Sequence, residues 1–134
     1  MGSRCEIVID VDDEKLAQKI FALAESETKR IEFKYSRYLP DSWLSQVNFA
    51  AGKVATPLDQ ESYQLLKYAE NLYQVSSGLF DITSGIFRRA WDYKAIPKLP
   101  SQEQLDGILP LVSWPNVVWD EASVYLPKEG MEID

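Results

Sequence analysis

Apolar and polar residues alternate from Arg4 to Val11, with Cys5, Ile7, Ile9 and Val11 on one face and Glu6 and Asp10 on the other. This pattern predicts a strand with one wet face. Asp12, Asp13 and Glu14 then place negative charge where a helix begins, and either aspartate can cap it. Leu16, Ile20, Leu23, Ala24, Ile31 and Tyr35 recur at helical spacing, predicting a helix over about residues 13–35, with Glu25 four residues before Lys29 on its charged face. Pro40 turns Leu39 away from helical angles, and Asp41 or Ser42 can cap a short helix through Asn48. Gly52 marks a turn with a short extended segment up to Thr56. Pro57-Leu58-Asp59 opens a second long helix, capped by Asp59 and reaching about Val75, with Leu65, Leu66, Ala69, Leu72 and Tyr73 on one stripe. Gly78 supplies its stop.

Beyond that stop, Ile86 to Tyr93 reads as a short helix, with Phe87, Ala90 and Trp91 on one side and Arg88 and Arg89 beside them as a solvated helix end. Pro97 and Pro100 bracket a connection, Ser101 caps another short helix to about Leu109, and Pro110 ends it. Val117-Val118-Trp119 and Ser123-Val124-Tyr125-Leu126 form a hairpin around Asp120-Glu121-Ala122. Gly130 to Asp134 begins a further strand. Amphipathic helices beside a few strands indicate an α/β, or α+β, layer, and the unclosed last strand predicts that the natural protein continues.

Composition narrows the chemistry. The chain has 134 residues, 46% hydrophobic and 26% charged, which fits one globular domain. A net charge of −7 with the two signs intermixed lacks the electrostatic footprint of a nucleic-acid binder. There is no histidine and one cysteine, which excludes Cys/His zinc sites, histidine-based triads and internal disulfides. Cys5 belongs to the apolar set and reads as a buried, inert thiol. Any metal site would be built of carboxylates and carbonyls, favouring magnesium or calcium. No apolar run is long enough to span a bilayer, and no secretory signal interrupts the reading.

The stretch Ser76-Ser77-Gly78-Leu79-Phe80-Asp81-Ile82-Thr83-Ser84-Gly85 stands apart, because two glycines seven residues apart enclose Leu79, Phe80 and Ile82 together with a carboxylate and hydroxyls. It reads either as a buried elbow tucked onto the core or as a ligand loop. Arg37 and Tyr38 lie on a bend, where the ring is either a lid over the core or, with the guanidinium, a stacking surface for a planar ligand. Neither a nucleophile with a nearby base nor a phosphate-cradling glycine loop is present.

Several of these stretches together resemble the N-terminal half of the ApbE family, the FAD:protein FMN transferases once described as thiamine biosynthesis lipoproteins. They are Met1-Gly2-Ser3, Tyr35-Ser36-Arg37-Tyr38, Asp41-Ser42 with Leu44-Ser45 leading to Asn48, Gly78-Leu79-Phe80-Asp81-Ile82-Thr83 with Gly85, Trp91 with Tyr93, and Pro100-Ser101. Ser77 stands where the family commonly has aspartate, and Ser84 and Ile86 replace the usual valine and proline around Gly85. Glu132-Ile133-Asp134 aligns with the approach to the family's Asp-Leu-Gly-Gly segment, so the metal-binding half lies beyond this chain in the resemblance.

The resemblance implies a mixed-sheet fold with helices packed on it, of which residues 1–134 form the N-terminal portion. It implies magnesium-dependent transfer of FMN from FAD to a threonine of an acceptor flavoprotein. Met1, Tyr38, Leu79, Phe80 and Asp81 match the FAD contacts, with Asn48 and Thr83 in supporting positions. No catalytic residue and no metal ligand falls within the chain, so it is expected to be inactive by itself. The alternatives are an FAD-binding module without catalysis and a structural piece with no ligand. A cytoplasmic location is expected if Met1 is the true start, and a periplasmic or lipoprotein-anchored one if an upstream signal has been removed.

Overall fold

The computed structural model describes residues 6–91 and 99–134. Met1, Cys5, Tyr93 and Pro97 lie outside the described residues. The chain divides into two compact units, residues 1–45 and 46–134.

In the first unit, helix α1 (Glu14–Tyr35) starts on Asp13, whose carboxylate accepts the N–H groups of Lys15 and Leu16 at 2.9 and 3.3 Å. That satisfies two of the donors every helix N-terminus leaves over. Glu25 and Lys29 pair at 2.8 Å on its charged face, as the spacing predicts. No residue of α1 is buried, and Leu16, Phe21, Leu23 and Phe33 stay exposed. Residues 6–11 form no strand, contrary to the alternation of Ile7, Ile9 and Val11. An alternating segment needs a partner for its backbone groups, and no described strand pairs with it. The turn after α1 is tied by hydroxyls: Ser42 Oγ donates to the Ser36 carbonyl at 2.6 Å and accepts the Ser45 N–H at 3.0 Å. Ser42 thereby caps helix α2 (Trp43–Phe49), and Tyr35 meets Trp43 edge-on at 5.7 Å.

The second unit holds a three-stranded antiparallel sheet of order β1-β3-β2, from Thr56–Pro57, Ser123–Tyr125 and Val118–Trp119 respectively. Thr56 faces Val124 and Val118 faces Tyr125. Pro57 belongs to β1 and not to the helix start; on an edge strand its missing N–H breaks no ladder. Helix α3 (Gln60–Val75) begins on Asp59, which accepts the Ser62 N–H at 2.9 Å, and buries Ser62, Leu66 and Ala69. Leu65, placed on the buried stripe by periodicity, is exposed. The sheet and α3 are joined by a row of rings, Tyr63 to Trp119 and Trp119 to Trp114, each with centroids 5.8 Å apart. Trp114 is almost fully buried, and its indole N–H donates to Glu70 of α3, so the polar tip of the ring is satisfied.

Ile82–Arg89 forms a 3-10 helix, η1, four residues earlier and more tightly wound than the predicted helix from Ile86. Asp81 caps it, and the cap fixes where the turn begins. Ser101 and Gln104 make a capping box for α4 (Gln102–Ile108), after which Pro110 lies inside a 3-10 turn, Leu109–Leu111. Residues 131–134 are not a strand, yet Met131, Glu132 and Ile133 are all buried. Individual hydrogen bonds replace a ladder: Asn48 Nδ2 donates to the Ile133 carbonyl at 3.1 Å, and the Ile133 N–H donates to Asn48 Oδ1 at 2.9 Å.

In the β2–β3 turn, Asp120 Oδ1 accepts the N–H groups of Ala122 and Ser123, each at 2.8 Å. These bonds favour the ionised carboxylate and hold its pKa below the ordinary aspartate value, the Ala122 bond first and the Ser123 bond next. A depressed pKa in the folded state means the contribution to stability is present above the unfolded value and is lost as pH falls through the folded one. The Asp120 side-chain carboxyl resonance should therefore titrate below that of an unfolded aspartate, and a midpoint at or above the unfolded value contradicts this turn geometry.

Candidate functional site

The loop between α3 and η1 is shaped by two successive residues in the left-handed region, Ser77 at φ 55° and Gly78 at φ 83°. Gly78 closes the helix by donating its N–H to the Tyr73 carbonyl at 2.9 Å, the return bond of a glycine-terminated helix. Ser76 then works in both directions. Its hydroxyl donates to the Tyr73 carbonyl at 3.1 Å and accepts the Phe80 N–H at 2.9 Å.

This backbone turns Leu79 and Phe80 outward. Leu79 is 92% exposed and Phe80 43% exposed, so the loop is not a buried elbow. The apolar anchor of the stretch is Ile86, which is fully buried five residues after Asp81.

Asp81 is the fixed point of the loop. Its Oδ1 accepts the Thr83 N–H at 2.7 Å and the Thr83 hydroxyl at 2.6 Å, while Oδ2 accepts the Trp114 N–H at 3.0 Å. Thr83 is fully buried, and its hydroxyl oxygen in turn accepts the Ser113 N–H at 2.8 Å. Three of the roughly four acceptor positions of a carboxylate are thus occupied by the protein, and the remaining one is on Oδ2.

Tyr38 belongs to the first unit. It is 76% exposed and does not cover the core. Arg37 donates to its hydroxyl at 2.9 Å, with the guanidinium carbon 5.0 Å from the ring centroid. The cation steadies the ring and leaves it accessible. Asn48 is engaged with Ile133, which makes it a clamp on the last residues of the chain. Among the described residues, no group of three His, Cys, Asp or Glu side chains could hold a metal ion, and no helix is long and apolar enough to cross a membrane.

The model of the ApbE family matches residues 1–134, the full length. The chain belongs to the ApbE family. An FAD:protein FMN transferase of Klebsiella pneumoniae (strain 342) is 27% identical over 137 residues, a match that takes in 100% of this chain and 42% of that protein. Among solved structures, the ApbE protein of Thermotoga maritima superposes with a TM-score of 0.75 at 27% identity, over 92% of this chain and 41% of that one. The flavinyl transferase ApbE of Pseudomonas stutzeri, in its apo form, gives a TM-score of 0.76 at 18% identity over 87% and 38%, a likeness of fold alone. The present ApbE chain thus spans about two fifths of the length of these relatives.

Within this ApbE chain, sequence reasoning missed two contributors to the loop. Trp114 and Ser113 supply backbone donors to Asp81 and Thr83 from 33 and 30 positions away, and no local pattern marks them. Arg88 and Arg89 stand part-exposed in the last turn of η1, as a helix end, and both also pair with Glu132, which the sequence reading did not foresee. A glutamate set between Met131 and Ile133, together with consecutive arginines, was the available signal.

Replacing Thr83 with valine removes one donor to Asp81 and strands the Ser113 N–H. We expect an unfolding free energy lower by about 1–3 kcal/mol, read as a lower urea midpoint at unchanged slope; an unaltered midpoint shows that the Asp81–Thr83–Ser113 connection is dispensable.

Proposed function

We propose that residues 1–134 supply part of the FAD site of a FAD:protein FMN transferase, with Tyr38, Leu79, Phe80 and Asp81 as the flavin-contacting residues and Met1, outside the described residues, as a further contact. The observation that carries the reading is the outward presentation of Leu79 and Phe80 on a loop whose backbone is pinned at Ser76, Gly78 and Asp81. Exposed apolar side chains on an anchored loop suit a preformed wall for a planar ligand. The remaining Oδ2 position of Asp81 suits a ring N–H donor, and the Tyr38 face suits stacking. Asn48 and Thr83 act one step back, through the last residues and through Asp81.

In the reaction this reading assigns to the whole protein, an acceptor threonine hydroxyl attacks the phosphorus of the FMN moiety. A phosphoester to the protein forms, the pyrophosphate P–O bond breaks, and AMP leaves while the hydroxyl proton is released. The described residues do not fit a magnesium site, since they bring no suitable set of side chains together. In this reading the Mg2+ ligands lie outside residues 1–134, and the acceptor is a flavoprotein bearing the target threonine. The chain binds and orients, and the rest of the machinery is elsewhere.

Titration of the purified chain with FAD, followed by flavin fluorescence, tests the binding half of the proposal. Tyr38→Ala is expected to weaken binding about three- to ten-fold, the worth of one ring stack; a variant that binds as well as the parent removes Tyr38 from the site. No AMP should be released from FAD by residues 1–134 with Mg2+ present. Magnesium-dependent AMP release by this chain overturns the division of labour.

A further inference from the structure

Residues 131–134 run antiparallel along η1 and touch it at both ends. At the beginning of η1 the Asp134 N–H donates to the Ile82 carbonyl at 2.9 Å. Gly85 permits that approach, because a Cβ there would lie 2.4 Å from Asp134 Cβ. At the end of η1, one oxygen of Glu132 accepts from Arg88 Nη2 and the other from Arg89 Nη2. The Glu132 side chain is 9% exposed, against 34% for Arg88 and 48% for Arg89. Arg88 Nη1 also donates to the Gly85 carbonyl at 2.9 Å, so this guanidinium ties the backbone of η1 to the carboxylate.

Two features of this grip bear on position more than on stability. A carboxylate taken out of water is costly even when paired, and an apolar side chain of similar volume would fill the place at no such cost. Moreover, consecutive side chains on a 3-10 helix diverge by about 120°, since it has three residues per turn. One carboxylate that engages two consecutive guanidiniums therefore fixes both the distance of η1 and its rotation about its own axis. Sliding or turning η1 breaks at least one of the two contacts. Asp81, Phe80 and Leu79 immediately precede η1, so its rotation determines which way they face.

We propose that Arg88, Arg89 and Glu132 form a positioning triad that sets the orientation of η1 and, through it, the presentation of Leu79, Phe80 and Asp81 to the flavin. The triad touches no ligand itself. This inference rests on the reading that the loop contacts FAD, and it adds charge-paired residues from the end of the chain to that site.

The test compares FAD affinity in Glu132→Gln, Arg89→Gln and Leu126→Ala, each under conditions where circular dichroism shows a folded chain. Leu126→Ala serves as a control for lost stability, because Leu126 is a buried core residue outside the loop. The triad variants should raise the Kd about five-fold or more, while Leu126→Ala stays within about two-fold. The chain carrying both Glu132→Gln and Arg89→Gln should bind no more weakly than the worse of those two single variants, as expected when both remove one interaction. Arg89→Gln, at a half-exposed side chain, keeps the test available if Glu132→Gln does not fold. Unchanged affinity in Arg89→Gln, or equal losses in the triad and core variants, overturns the proposal.

If the parent chain binds no FAD, the flavin reading fails and amide exchange decides on the triad alone. Exchange about ten-fold faster in Arg89→Gln, confined to residues 79–89 and sparing α3, supports it; exchange that is unchanged or uniformly faster overturns it.

Discussion

The Asp81 carboxylate joins two parts of the second unit that lie 33 positions apart in the sequence. It caps η1 by accepting from Thr83, and it holds the chain at Trp114 by accepting that residue's backbone N–H. Trp114 in turn fills the core between α3 and the hairpin and donates its indole N–H to Glu70. Charged acceptors make the stronger class of hydrogen bond, and here the acceptor serves three donors at once. The loop that precedes Asp81 inherits this rigidity. Leu79 and Phe80 can remain exposed because their backbone is secured by neighbours that are not.

The same residue shows how fully one carboxylate can be engaged by the fold. Most of the acceptor capacity of Asp81 is spent on the fold, so the orientation of the carboxylate is set by Thr83 and Trp114.

Glu132 extends the argument to the end of the chain. Its segment carries no regular secondary structure, yet three consecutive residues are buried and each is fixed by a specific contact, or lies beside one that is. Asn48 imitates a strand neighbour by both donating to and accepting from Ile133. Side chains, and not a sheet ladder, therefore decide where this stretch lies in the chain's ApbE fold.

Local chemistry alone determined much of this protein. Asp13, Asp59 and Ser101 mark helix starts because their side chains bond the nearest free N–H groups, and Gly78 marks a stop because left-handed backbone is cheap for glycine. The β2–β3 hairpin followed from two apolar runs around Asp120, and the order of short motifs revealed the family. Tertiary structure decided what depends on distant partners. The alternation of Ile7, Ile9 and Val11 cannot make a strand without a neighbour, and the apolar face of α1 cannot be buried without a surface to meet it. The loop at Leu79 and Phe80 reads from composition first as a buried elbow and second as a ligand wall, since apolar side chains in a turn usually tuck onto the core. Its outward turn comes from Ser76, Ser77 and Gly78 nearby and from the distant Trp114, which holds Asp81. Trp114 lies more than 30 positions on, where no periodicity reaches.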